Sequence, residues 1–554
     1  MSLALYWHTA RHLRPGQIVG RALHRIGQLR KPAPDLSPAP PLRRASGVWV
    51  QPARRRPSQC GPSSFVFLNE ARELQSSSGW DDPSWPLLWR YNLHYFDDLN
   101  AVGGSDRIDW HRALIERWIR ENPPPRGTGW DPYPTSLRIV NWVKWACGGG
   151  ALSEAAIQSL AVQSRHLAQR PEYHLLGNHL FVNAKALVFA GLFFGGQEAV
   201  RWLEEGLRIL QREVPEQILP DGGQFERSPM YHALALEDML DLQNLMQRYP
   251  EAVPDAWRPE VQQWLDAIPK MRRWLAAMCH PDGEISFFND AAFGIAPTPE
   301  EIEAYAGRLG HPALPPISDG VVFLEHSGYL RVQRGALTAL LDCAAVGPDY
   351  QPGHAHADTL SFELSWNGRR LIVNSGTSCY GTGAQRQFER STAAHSTVEV
   401  DGQSSSETWG GFRVARRARP LDLVVDDAGP RWTISAAHDG YRRLPGRVTH
   451  RRLWEIAADS LTVRDSLAGK WHSALARFYL HPDWAIEGGR ADGTVAGSSI
   501  ALVHGDERLQ LRAIETALQV AAAHYHPEFG VSVPSRCLFA PVGPAGLTTC
   551  FLAG

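Results

Sequence analysis

Paired cysteines, net charge and long apolar runs are all scarce in this 554-residue chain. Its seven cysteines, at positions 60, 147, 279, 343, 379, 537 and 550, are odd in number and nowhere spaced Cys-x-x-Cys. Neither a disulfide framework nor a zinc–thiolate site is therefore indicated. A formal charge of -2 argues against a nucleic-acid binder. Arginines do gather at Arg54, Arg55 and Arg56, at Arg413, Arg416, Arg417 and Arg419, and at Arg442, Arg443 and Arg447. Such patches suit an anionic ligand or are simply solvated. No stretch reaches membrane-spanning length without charges. The amino terminus lacks the basic segment and uninterrupted apolar run of a signal peptide. A cytoplasmic location is expected on that basis, or a periplasmic or extracellular one if a leader is missing.

What is present is an ordinary globular composition, 44% hydrophobic and 21% charged, in a chain long enough for two large domains. Residues 1–60 are rich in Arg and Pro and read as an extended arm or linker, the run from Lys31 to Pro40 above all. Residues 61–315 carry a helical period, with apolar positions at i, i+3, i+4 and i+7 in 110–120, 137–146, 155–168, 179–194, 199–213, 231–248 and 257–278. Repeated amphipathic helices with short loops suggest an α/α toroid, an incomplete barrel. In residues 316–554 the period becomes two, through 328–334, 337–343, 360–366, 370–373, 396–400, 460–464 and 509–513. Asn367-Gly368 is a hairpin signal, and an antiparallel β-sandwich accounts for this half.

The segment richest in chemistry is Gly353-His-Ala-His-Ala-Asp. If it is extended, a period of two sends His354 and His356 to one face of a strand, where both serve one site. An isolated His-x-His also reads as the mere end of a strand.

Four motifs in order, Gly177-Asn-His, Ser228-Pro-Met-Tyr-His, Gly353-His-Ala-His-Ala-Asp and His395-Ser-Thr-Val-Glu-Val-Asp-Gly, make the chain resemble the heparinase II/III family of polysaccharide lyases over about residues 90–420. The resemblance implies an α/α toroid joined to an antiparallel β-sandwich, with an acidic polysaccharide between them and β-elimination as the reaction. Abstracting a proton from carbon 5 of a uronate pushes charge onto an ionised carboxylate, which must first be neutralised. Asn178 and His179 fit that task as hydrogen-bond donors, by the logic of an oxyanion hole. By themselves they also fit simple helix capping. By resemblance, Tyr231 is the acid nearest the glycosidic oxygen, and also a candidate base, with His354 its partner on the opposite side. Tyr380 stands where alginate-lyase relatives carry a second catalytic tyrosine, and equally suits packing or sugar stacking.

Related lyases hold a structural zinc, Zn2+, through positions that match His356, Asn374 and His395. Asparagine there replaces an anionic ligand and is a poorer partner for the metal. The site is then weakened, recruits Asp358, or is a metal-free hydrogen-bond cluster. For substrate contact, Tyr91, His94, Tyr95, Trp130, Tyr133 and Arg138 offer aromatic faces and a fork for a carboxylate, unless they are core. A near-neutral chain suits a polymer less sulfated than heparin, either a glycosaminoglycan-like one or a bacterial exopolysaccharide. Two further readings stay open. One is a glycoside hydrolase using a carboxylate pair among Asp221, Glu226, Asp282 and Asp290. The other is a non-catalytic glycan-binding protein of polysaccharide biosynthesis, for which Asn374 is the hint.

Overall fold

The computed structural model describes residues 3–29, 33–488, 497–514 and 516–554. Helices dominate the first part: α1 (Leu3–Ala10), α2 (Pro15–Leu29), α3 (Leu87–Tyr95), α4 (Ile108–Glu121), α5 (Pro132–Cys147), α6 (Glu154–Ala168), α7 (Gly177–Phe193), α8 (Gly196–Gln217), α9 (Pro229–Arg248), α10 (Arg258–Leu265), α11 (Ile268–Ala277) and α12 (Pro299–Arg308). Strands running from Gly320 to Ala553 make up most of the rest.

The central helix is α7. It carries no acidic residue and is apolar on nearly every side, the pattern of a helix surrounded by protein. Its neighbour α8 approaches closely because Gly191 and Gly206 face the contact. A Cβ at Gly191 would lie 2.5 Å from the Leu203 backbone nitrogen, and one at Gly206 would lie 2.8 Å from the Ala184 carbonyl oxygen. The single helix expected over 257–278 is broken between Leu265 and Ile268. Pro269 explains the break: its ring excludes the carbonyl four residues back, so it opens α11 instead of continuing α10.

Residues 1–60 depart from the arm that composition suggests, since α1 and α2 are helical. Lys31 and Pro32 lie outside the described residues. Beyond them the chain is extended and strapped to the helix ends. The Arg43 amide donates to Phe193 O at 2.9 Å and the Gly47 amide to Arg248 O at 3.1 Å, while Asn244 donates its side-chain amide to Val50 O at 2.9 Å.

Among the described residues the strands form a nine-stranded and an eight-stranded antiparallel sheet, with two further two-stranded pairs. The two large sheets share one core, in which Leu330, Val332, Phe362 and Phe478 of the first meet Ile434, Trp454, Val463 and Phe551 of the second. Strand Thr449–Ile456 alternates in burial, whereas Leu337–Asp342 and Phe362–Trp366 are buried on both faces. The reason is that the outer face of the larger sheet lies against the helical part, with Tyr329 and Leu340 packed on Trp274 and Met278. Asn367 and Gly368 take φ 47° and 80°, as a two-residue hairpin turn requires.

Candidate active site

The site forms where helix starts in the first part meet loops from the larger sheet. Tyr231 stands in the first turn of α9, which Ser228 caps by accepting from the Tyr231 amide at 3.1 Å, with Pro229 at the first helical position. Asn178 and His179 open α7, entered through Leu176 and Gly177, both at positive φ. For Leu176 that is a strained conformation held by its surroundings. His354 and His356 lie between strands Leu337–Asp342 and Phe362–Trp366 and belong to no strand. The extended reading of this segment is therefore corrected. The backbone bends there, and the two imidazoles go to different places.

His354 stacks on Tyr231, with ring centroids 3.9 Å apart and planes 19° apart. It is thus beside Tyr231 rather than across a substrate from it, because no sugar fits in that gap. Its Nδ1 lies 2.5 Å from Glu226 Oε2, a carboxylate whose side chain is only 2% exposed. With Nδ1 donating its N–H to this carboxylate, Nε2 is left with its lone pair. Tyr231 Oη and Tyr380 Oη are 2.8 Å apart. Burial, then the neighbouring Tyr380 and Asp290, push the Tyr231 pKa well above 10, so its phenol keeps its proton at neutral pH. Tyr380 is raised in the same way by burial and then by Asp290.

His179 joins this cluster through Tyr133, whose ring centroid is 4.6 Å from its own, and through the field of Glu226. Burial works to lower the His179 pKa. Glu172, 3.2 Å away, and then Glu226 outweigh it, and the net shift is upward. The Asn178 amide oxygen is buried with no protein partner. The structure therefore brings Asn178, His179, Tyr231, His354 and Tyr380 into one region.

A second layer holds these groups in register. The Asp290 amide donates to His354 O at 2.9 Å, and Asp290 O accepts from Ser228 Oγ at 2.5 Å. The Asp290 carboxylate accepts from Arg386 and from His356 Nε2, the latter at 2.8 Å. Burial would raise its pKa, but Arg386 and His356 hold it far below the ordinary value. Sequence reading missed this role, and it also missed Phe412. That ring is 45% exposed, with its centroid 6.0 Å from His354 and 5.1 Å from Tyr380. No motif marks Phe412; only the fold brings it to the cluster.

Several expected residues are elsewhere. Arg138 is fully buried, with its guanidinium 3.8 Å over Trp118 and donating to Gln163 Oε1 at 2.9 Å. Trp130 is 4% exposed and donates to Asn122 O. His94 has both ring nitrogens engaged, by Trp118 Nε1 and by Trp80 O. These three are core, not substrate contacts. Tyr95 is 7% exposed behind Tyr133, which takes the cluster-facing place. Asn374 is no metal ligand either, because its Nδ2 donates to Phe287 O at 2.9 Å and its Oδ1 accepts from the Ser396 amide at 3.1 Å. His356, Asp358 and His395 instead offer ligand atoms within 4.8 Å of one another.

The four carboxylates considered for hydrolysis are all occupied. Asp221 accepts from Ser327 and Gly223, Asp282 from Arg370, Asp290 from Arg386, and Glu226 faces His354. Nothing in this set forms an open pair across a cleft.

Known proteins resemble this chain in sequence and in fold. Residues 151–300 match the family profile described as Heparinase II/III N-terminus, and residues 317–548 match Heparinase II/III-like, C-terminal. A heparin-sulfate lyase of Bacteroides stercoris is 26% identical over 468 residues, covering 74% of this chain and 67% of that protein. FtsZ-localized protein C of Caulobacter vibrioides is 29% identical over 429 residues, covering 71% and 69%. The crystal structure of heparinase III superposes with a TM-score of 0.66 at 18% identity, covering 88% of this chain and 79% of that one, which shows a shared fold. This chain belongs to the heparinase II/III-like family of polysaccharide lyases.

Proposed function

We propose that this protein cleaves a uronic-acid polysaccharide by β-elimination, using an incomplete α/α toroid and a β-sandwich to bind the polymer between them. The observation that carries the reading is the contiguous set Glu226, His354, Tyr231 and Tyr380. His354 Nε2 takes the proton from carbon 5. The C4–O4 bond breaks, a C4–C5 double bond forms, and Tyr231, which keeps its proton at neutral pH, gives it to O4. His179, with its raised pKa, and the Asn178 amide stabilise the charge that gathers on the uronate carboxylate. Phe412 supplies an exposed ring on which a sugar stacks.

Because base and acid are stacked on one side, the geometry favours syn elimination. That suits a uronate of gluco configuration, whose C5 hydrogen and O4 are gauche. The reading as a non-catalytic glycan binder loses its motivation, since the Asn374 amide is used in tying backbone together.

The donor set at His356, Asp358 and His395 fits zinc. His356 Nε2 faces the Asp290 carboxylate at 2.8 Å and His395 Nδ1 faces Ser391 O at 2.7 Å, so both N–H groups are directed there. That leaves His356 Nδ1 and His395 Nε2 as two lone pairs facing each other at 3.1 Å. Tetrahedral zinc holds two nitrogen ligands about 3.3 Å apart and wants this orientation by outer hydrogen bonds. When bound, the ion supplies structural cross-linking of the 354–358 turn.

The test is to incubate the protein with a panel of uronate polymers and follow ultraviolet absorbance from the new double bond. New reducing ends without absorbance would replace the lyase reading with hydrolysis.

A further inference from the structure

The first 34 residues contain six Lys or Arg and no Asp or Glu, while the remaining 520 carry 50 basic against 58 acidic residues. This acid-free segment forms α1 and α2. The first turns of helix α2 meet the body of the protein on one side. Gln17, 2% exposed, donates to Tyr350 O at 3.2 Å, and Gly20 lies against the His174 backbone. Arg14 stacks 3.8 Å over Tyr350 and pairs with Glu216.

The face turned away from the body is apolar. Ile18 and Val19 are each 56% exposed, and Ala22, one turn beyond Ile18, is exposed too. Arg21, also exposed, flanks this stripe. On α1, Leu3 at 88% and Trp7 at 67% are four residues apart, on one helix face, and Arg11 follows one turn later. Large apolar side chains so exposed on two consecutive helices mark a contact surface rather than scattered surface residues. At 15 residues α2 is too short to cross a bilayer, and among the described residues no helix is long and apolar enough to do so.

We propose that α1 and α2 form a docking surface for an anionic lipid bilayer. Trp7, Leu3, Ile18 and Val19 enter the headgroup boundary, and the surrounding arginines meet lipid phosphates. The occupant follows from charge. An apolar stripe on a segment that carries six cations and no acid complements a negatively charged membrane, whereas a second copy of the same acid-free segment would be repelled. The docking helices also abut the active site. Trp409 donates to Thr9 of α1 at 3.0 Å, and the hairpin that carries Trp409 carries Phe412 as well. Docking thus sets the cleft beside the membrane, where a polymer crossing or growing at the bilayer is within reach.

The test is co-sedimentation of the full chain with phosphatidylcholine vesicles, with and without phosphatidylglycerol. The protein is expected to pellet with the phosphatidylglycerol vesicles and to be released as salt is raised. Ile18→Glu combined with Val19→Glu is expected to lower partition roughly tenfold or more, by placing charge where apolar area was to be buried. Melting temperature and rate on a soluble polymer should be unchanged. A wild-type protein that stays in the supernatant, or a double variant that pellets equally, overturns the proposal. So does a wild-type dimer in vesicle-free buffer that the double substitution dissociates, since the surface would then join two copies.

Discussion

Replacing Glu226 with Gln separates positioning from packing, because the two side chains are nearly equal in size. The carboxylate is buried and holds His354 Nδ1 at 2.5 Å. As His354 takes a proton it becomes a cation, and the ionic hydrogen bond to Glu226 then strengthens. A hydrogen bond to a charged group contributes about 1.5–3 kcal/mol. At about 1.4 kcal/mol per tenfold, losing it slows turnover roughly ten- to a hundredfold. That figure applies if the new amide presents its oxygen to Nδ1–H. If it presents its NH2 group, the imidazole is driven to the tautomer protonated at Nε2 and the base is lost. An amide forcing the wrong tautomer costs on the order of 10⁴ in rate. Either way the larger loss falls on kcat, because Glu226 is placed behind His354, while KM rises near neutral pH because the Glu226 charge also helps to keep His179 cationic. Initial rates of absorbance gain give both constants, and a thermal melt reports on folding. A variant that melts like the wild type and turns over within about threefold of it would refute the assignment of His354 as base.

Tyr231→Phe is expected to lower kcat by about 10²–10⁴ with polymer binding and melting temperature retained, as measured by turnover and by calorimetric titration. For His179, whose folded pKa is raised, the cationic form stabilises both the fold and the bound uronate. That contribution is complete below the ordinary histidine value of about 6.5 and is lost as pH rises through the higher folded value. KM should rise over that window, and the rise should vanish in His179→Gln; a pH-independent KM in the wild type would remove His179 from carboxylate binding. Protein purified with zinc should contain it by elemental analysis, and His356→Ala and Asp358→Asn should lose the metal and melt lower. Asn374→Asp should not improve zinc retention. It removes the donor to Phe287 O in a fully buried place, at a cost of about 1–3 kcal/mol, visible as a lower melting temperature.

What was legible in the sequence followed from local periodicity. The segment 231–248 announces a helix by its apolar spacing and its Ser-Pro start, and Asn367-Gly368 announces a hairpin, because each needs only neighbouring residues. Segment 87–95 carries a helix too, yet its aromatics and histidine resemble a cleft motif as much as a helix face. Arg138 and Trp130 show the same difficulty. An arginine near aromatics reads alike whether it awaits a carboxylate or stacks on Trp118, and the residue that decides, Gln163, is 25 positions away. Glu226 stood out as an acid in a loop. Its partner His354 is 128 residues further on, so the sequence suggested a hydrolytic carboxylate where the fold has a support for a base.

The two histidines of Gly353-His-Ala-His-Ala-Asp are coupled even though they go to different places and no strand aligns them. Asp290 is the reason. Its backbone fixes the His354 carbonyl and the cap of α9 that carries Tyr231, while its carboxylate fixes His356. Asn289 beside it accepts from the His356 amide at 3.1 Å, and its own amide donates to Asp358 at 3.1 Å. The turn at 354–358 is thereby clamped on both sides by one short loop. A zinc ion at His356, Asp358 and His395 would act on catalysis only through this clamp. Its removal should therefore loosen the stacking of His354 on Tyr231 and lower kcat in step with stability.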